Sequence, residues 1–148
     1  MGEERRGYFG PIAGLAADGA GTWDFYIARD RLVRIQRTQP ESKYRAVAQI
    51  PEVLQAPTAI FQGLQRDEHE DGYAYVGRPK EREIKRDSAD GGWIKIPTDP
   101  RIILVVFVTG NDRRRDIFDW EWRKTDAADP DLPENADLDF EDLLWRPT

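Results

Sequence analysis

The sequence predicts an α+β fold: a mainly antiparallel sheet, one helix in the N-terminal half (41–55, broken at Pro51) packed on one face, and an acidic C-terminal tail with a short helix. Three stretches carry that reading. Ile102–Val108 is an unbroken apolar run rich in β-branched side chains, the pattern of a strand buried on both faces. After Gly110-Asn111-Asp112 the pattern turns to alternation, with Phe118, Trp120 and Trp122 expected on one face and Asp119, Glu121 and Arg123 on the other. Glu41–Gln55 is the only convincing helical stretch of the body, with Ser42 as its cap.

Taken in order, residues 1–21 hold six glycines and few large apolar groups, and read as a flexible leader. Trp23, Phe25 and Ile27 alternate as a first strand, Arg29-Asp30 reads as a turn, and Leu32–Gln36 as a second strand. Tyr44, Val47 and Ile50 fall at helical spacing, and Val53 and Leu54 continue that face. Pro51 cannot sit inside a regular helix without losing a hydrogen bond, so a break is expected there, with a short turn PEVLQ beginning at the proline. Thr58–Gln62 and Gly72–Val76 read as antiparallel strands around a charged loop, Arg66–Asp71. Gly77–Gly92 is polar, an extended hairpin or a loop, and residues 93–96 form a further short strand. In the tail, Leu138, Phe140, Leu143, Leu144 and Trp145 suit an amphipathic helix that docks on the body. The domain reading is therefore a leader (1–21), one domain (22–125) and an acidic tail (126–148).

Composition narrows the function classes. With no cysteine there are no disulfides, thiolate metal sites or cysteine nucleophile. The longest apolar run is seven residues, against the roughly 20 a membrane helix needs, so no membrane partner is expected and the location reads as cytoplasmic. The net charge of −6 is uneven. Residues 126–148 hold eight acids against Arg146 alone, a net of −7, which leaves the body at +1. Such a tail either solubilises, binds a partner or folds back over a basic surface. No nucleophile elbow, paired catalytic carboxylates, zinc-helix motif or phosphate loop appears, and GLAADGAG lacks the Lys-Ser/Thr of the last.

The stretch LVRIQRTQPESKYRAVAQIPEVLQAPTAIFQG resembles the front half of the nuclease domains of phages and polymorphic toxins grouped with barnase, EndoU, the RNase colicins and RelE. The resemblance covers residues 23–124 in layout and rests on the phrase Ile50–Pro57, where a helix-rich segment ends and a strand follows the proline. IFQGLQRDEHEDGYAYVGRP and FDWEWRKTDAADPDLPE look instead like small uncharacterised bacterial proteins, which lend no activity. Members of the nuclease group often carry a histidine near the helix; Arg34–Arg45 supplies Arg34, Arg37, Lys43 and Arg45 and no histidine.

The resemblance implies RNA cleavage by transfer to the ribose 2′-OH, which needs a base, an acid and cations on the phosphate, and no cofactor. On that reading the catalytic candidates are Arg45, Arg78, Lys80 and His69, the last being the one side chain with an unperturbed pKa near neutrality. Arg34, Lys43, Arg113 and Arg114 are candidate RNA contacts, and Tyr73 and Tyr75 candidate stacking platforms. Each has a bland alternative: an exposed loop histidine, scattered surface cations, cross-strand tyrosine packing. A divalent ion held by Asp67, His69 and Asp71 is a weaker reading of one charged loop. The leading expectation is a small metal-independent endoribonuclease-like toxin or phage effector. The alternative is a non-enzymatic protein-binding module (inhibitor, immunity or anti-defence protein) that uses its acidic tail.

Overall fold

A computed structural model describes residues 6–13, 22–66, 69–86, 91–110, 114–134 and 142–145. The α+β reading holds: a seven-stranded, mainly antiparallel mixed sheet carries a helical layer on one face. The strands are β1 (Arg6–Ala13), β2 (Thr22–Ala28), β3 (Ala59–Arg66), β4 (His69–Gly77), β7 (Ile102–Thr109), β8 (Arg114–Lys124) and β9 (Asp142–Trp145). Their spatial order is β1-β2-β8-β7-β4-β3-β9, with β2 and β8 the parallel pair. A separate antiparallel hairpin pairs β5 (Glu81–Lys85) with β6 (Trp93–Pro97).

The chain leaves β2 and re-enters the sheet at β3, four positions away in that order. At about 4.8 Å per position the connection must cross roughly 19 Å of sheet face. The segment between them does so as α1 (Arg29–Thr38), α2 (Glu41–Arg45), a 3₁₀ turn (Ala46–Gln49) and α3 (Ile50–Gln55). Ile35, Ala46, Ile50, Val53 and Leu54 from this layer pack on Phe25, Ile27, Ile60, Tyr75, Leu104, Val106, Val108, Ile117 and Trp120. β7 explains its own sequence: Leu104, Val106 and Val108 serve this core, while Ile103, Val105 and Phe107 serve a second one on the opposite face. There they join Ala59, Phe61, Ala74, Val76 and Phe118, with Leu132 packed against them.

Several expectations change. Arg29-Asp30 is the first turn of α1 and Leu32–Gln36 its middle, so a helix stands where a turn and a strand were expected. Leu32 and Ile35, three apart, reach the core together, whereas a strand would send them to opposite faces. The expected helix 41–55 is three short pieces, and Pro51 falls in the first turn of α3, where its missing N–H costs nothing. Within the segment read as a leader, Arg6–Ala13 form β1 against β2. Asp142–Trp145, expected in a helix, form a strand beside β3, and 138–141 lie outside the described residues.

Phe118 is the subtlest change. The β7–β8 register shifts between Phe107 and Val108, so that Asp119 faces Phe107 while Ile117 faces Val108. The extra residue in β8 turns Phe118 to the second core, 6.2 Å from the Phe107 ring, while Trp120 stays under the helices.

Residues 126–134 are tied down by backbone and side-chain bonds. The Asp126 N–H donates to the Leu132 carbonyl at 2.8 Å and the Glu134 N–H to Lys124 at 2.8 Å. The Thr58 hydroxyl donates to the Asp131 carbonyl at 2.8 Å, and the Arg78 guanidinium to that of Pro130. No described helix is long and apolar enough to cross a membrane.

Candidate functional site

The β5–β6 hairpin leans on α2 and the 3₁₀ turn, leaving a cleft of about 730 Å³ between the hairpin and the helical layer. Gln36 from α1 and Gln39 beyond it form one wall, and α2 supplies Glu41, Tyr44 and Arg45. Val47 and Ala48 continue the floor, and Glu83 faces them from β5.

Arg45 is the centre of this arrangement. Its Nη1 lies 3.2 Å from Glu83 Oε1 and its Nε 3.4 Å from Glu41 Oε1, one helical turn back. The guanidinium carbon sits 4.7 Å from the centroid of the Trp93 ring, and the Trp93 indole N–H donates to Glu41 Oε2 at 3.1 Å. One face of the hairpin thus delivers both contacts. Glu83 pairs with Lys95 and Lys85 with Trp93 across the two strands, which places Glu83 and Trp93 diagonally on the same side.

A neighbouring set of contacts holds α2 on the sheet. The Trp120 indole N–H donates to the Lys43 carbonyl at 2.7 Å, and Lys43 Nζ reaches Asp119 Oδ1 at 2.6 Å while lying 5.9 Å from the Trp120 ring centroid. Arg82 covers the ring of Trp122 at 5.7 Å. The position of Arg45 is therefore fixed from the sheet side as well as from the hairpin.

The elements framing the cleft are basic within an acidic chain. α1 carries four arginines against Asp30, α2 carries Lys43 and Arg45 against Glu41, β5 balances to zero and β6 adds Lys95, a net of +5 against −6 for the whole chain. Arg34 and Arg37 are exposed on α1, and Lys85, Arg86 and Lys95 on and beside the hairpin. Such a patch raises the local concentration of anions even where the overall charge opposes it.

The residues singled out in the sequence do not all meet here. Arg45 lies in the cleft, Lys43 on the sheet side of the same short helix, and Arg34 on the exposed face of α1. Lys80 follows β4, its backbone N–H bound to Glu52 Oε2 at 2.6 Å, and Arg78 serves the Pro130 carbonyl. His69 opens β4 opposite Arg66. Along a strand at about 3.3 Å per residue, that is roughly 26 Å from Gly77 at the other end. His69 thus opens β4, while Arg78 follows its far end. Asp67 is outside the described residues, as is Arg113, and Arg114 begins β8.

Tyr75 is only 2% exposed and its hydroxyl accepts from Arg115, so its ring is core, packed edge-on to Phe25 at 5.6 Å. Tyr73 is half-buried with the Arg115 guanidinium over its ring at 4.1 Å. Of the three turn arginines, Arg115 is a buried packing residue (2% exposed). The residues that sequence reasoning missed are Glu41, Glu83, Trp93, Tyr44 and the two glutamines. Glu41 carries a local signal, standing four residues before Arg45 on the same helix face, whereas Glu83 is 38 positions from Arg45 and is joined to it only by tertiary packing.

A second cleft, of about 790 Å³ and more apolar, lies where β7 begins and β8 ends. Its one strongly perturbed group is Asp99, held down to about 2 by hydrogen bonds from the Arg101 side chain and backbone. Arg101 closes on Asp99 through Nη2 at 3.0 Å and Nε at 3.2 Å.

No family model matches the chain, and no curated protein and no solved structure matches it either.

Proposed function

We propose that this chain is an RNA-cleaving domain of the metal-independent endoribonuclease type, with its substrate in the cleft around Arg45. The observation that carries the reading is a cation held between two carboxylates and an aromatic ring, among elements (α1, α2, β5 and β6) of net charge +5. In this chemistry the Glu83 carboxylate takes the proton from a ribose 2′-OH, whose oxygen attacks the adjacent phosphorus. The P–O5′ bond breaks, leaving a 2′,3′-cyclic phosphate and a 5′-hydroxyl. Arg45 stabilises the charge growing on the phosphoryl oxygens. In this reading a water protonates the leaving oxygen, and the gain of about 10²–10⁴ from a positioned acid is forgone. The expected enzyme is slow.

The test is incubation of the full-length protein with RNA in EDTA, reading product ends. Cyclic phosphates from the wild type, lost in Arg45→Ala and in Glu83→Gln with both variants folded, support the reading. Absence of cleavage by the wild type, or full activity in both variants, overturns it.

A second reading, a non-enzymatic protein-binding module, is favoured by one specific observation. The cations named for RNA already have partners within the protein: Arg45 with Glu41 and Glu83, Lys43 with Asp119, Arg78 with a carbonyl. The acidic segment 126–134 then becomes the contact surface for a basic partner, and charge speeds the encounter. Loss of capture of such a partner in Asp131→Asn/Glu134→Gln supports this reading; unchanged capture counts against it.

A further inference from the structure

We infer that Trp93 is a positioning residue for Arg45, setting the plane and direction in which the guanidinium is presented to a phosphate; the functional part of this inference rests on the RNA reading above. Three contacts point to it. The guanidinium carbon lies 4.7 Å from the Trp93 ring centroid, within the range of cation–π attraction. The indole N–H donates to Glu41 Oε2, and the other oxygen of that carboxylate faces Arg45 Nε. Trp93 therefore acts on Arg45 twice, through its ring directly and through the carboxylate it orients. A long arginine side chain has many rotamers, and fixing one beforehand lowers the ordering cost of taking up a ligand. The device also assigns a role to the hairpin, which lies outside the main sheet yet brings Glu83 and Trp93 to the same guanidinium from two different strands.

A merely structural tryptophan would affect every property of the cleft alike. A positioning tryptophan acts only while Arg45 is present, and a phenylalanine in its place keeps the ring contact while losing the N–H route through Glu41. The experiment uses the full-length chain and two readouts. The first is the side-chain Nε–Hε signal of Arg45 in NMR spectra. It is expected to be ring-shifted and slow to exchange in the wild type, largely kept in Trp93→Phe, and collapsed toward free arginine in Trp93→Ala. An unchanged signal in Trp93→Ala overturns the inference, whether or not RNA binds.

The second readout is a double-mutant cycle on the affinity for a fluorescent ten-nucleotide uridine RNA. Trp93→Ala is expected to weaken binding about tenfold in the wild-type background and less than twofold in Arg45→Ala, with Trp93→Phe recovering most of the loss. Equal losses in both backgrounds overturn the positioning role while leaving the RNA reading intact. Absence of RNA binding by the wild type, with the Arg45 signal behaving as expected, removes the RNA reading and the presentation to phosphate, and keeps the orienting contact alone.

Discussion

Replacing Trp120 by phenylalanine isolates the bond that pins the helical layer to the sheet. Trp120 is fully buried and its indole N–H donates 2.7 Å to the carbonyl of Lys43, inside α2. Phenylalanine keeps an aromatic ring in the core and removes the donor. A net hydrogen bond is worth about 1 kcal/mol. The lost pyrrole portion of the ring adds a transfer and cavity cost of about 1–2 kcal/mol. The expected loss is about 2–3 kcal/mol. For a chain of 148 residues, with a urea slope of about 2 kcal/mol per molar, the midpoint should fall by about 1–1.5 M at unchanged slope. Trp122→Phe is the control. Trp122 is half-buried with Arg82 over its ring, and that change should cost about 1 kcal/mol or less. Urea unfolding followed by far-UV circular dichroism measures both. Equal costs for the two tryptophans, or a loss below about 1 kcal/mol for Trp120→Phe, would refute the claim that this bond anchors α2.

Three further predictions concern other parts of the molecule. Gly77→Ala places a Cβ 3.1 Å from Val53 Cγ1 and 3.2 Å from Val53 Cα, where α3 crosses the end of β4, so thermal unfolding should show a loss of about 1–3 kcal/mol, only partly relieved by Val53→Ala because the backbone contact remains. The Lys43–Asp119 pair, with side chains 25% and 20% exposed, should show a coupling of about 1 kcal/mol in a Lys43→Met/Asp119→Asn cycle, halved in high salt. Asp99 should titrate near 2 by carboxyl ¹³C NMR and return toward 3.8 in Arg101→Gln. Its folded value lies below the unfolded one, so the stabilisation it gives is present above about 3.8 and is lost as the pH falls through 2.

How much of this was legible in the sequence depends on whether the signal was local. β7 was readable because both faces of one strand needed apolar residues, and Ile103 through Val108 supply them alternately to two cores. The helical break near Pro51 was readable because proline constrains its own backbone. α1 was not: Ala28 at its start makes no side-chain cap bond, and Leu32 to Gln36 alternates as well as it spirals. The turn of Phe118 to the second face comes from one extra residue in β8, which is defined by pairing with β7 and not by composition. The same holds for the cleft. Arg45 stood out as a cation on a helix, but Glu83 and Trp93 acquire their meaning only when the hairpin folds back on α2. Conversely, Tyr75 looked available for stacking because a half-buried and a fully buried face have the same alternation until the helical layer is placed over it.

The claim on which the functional proposal turns is that RNA binds between the helical layer and the hairpin. Amide chemical-shift mapping of the full-length chain with a short uridine RNA tests it most directly. The account predicts shifts concentrated in α1, α2 and the β5–β6 hairpin, centred on Arg45 and weakened by salt. Shifts concentrated instead around Asp99–Ile102 and Lys124–Pro130, or no shifts at any RNA concentration, would contradict it.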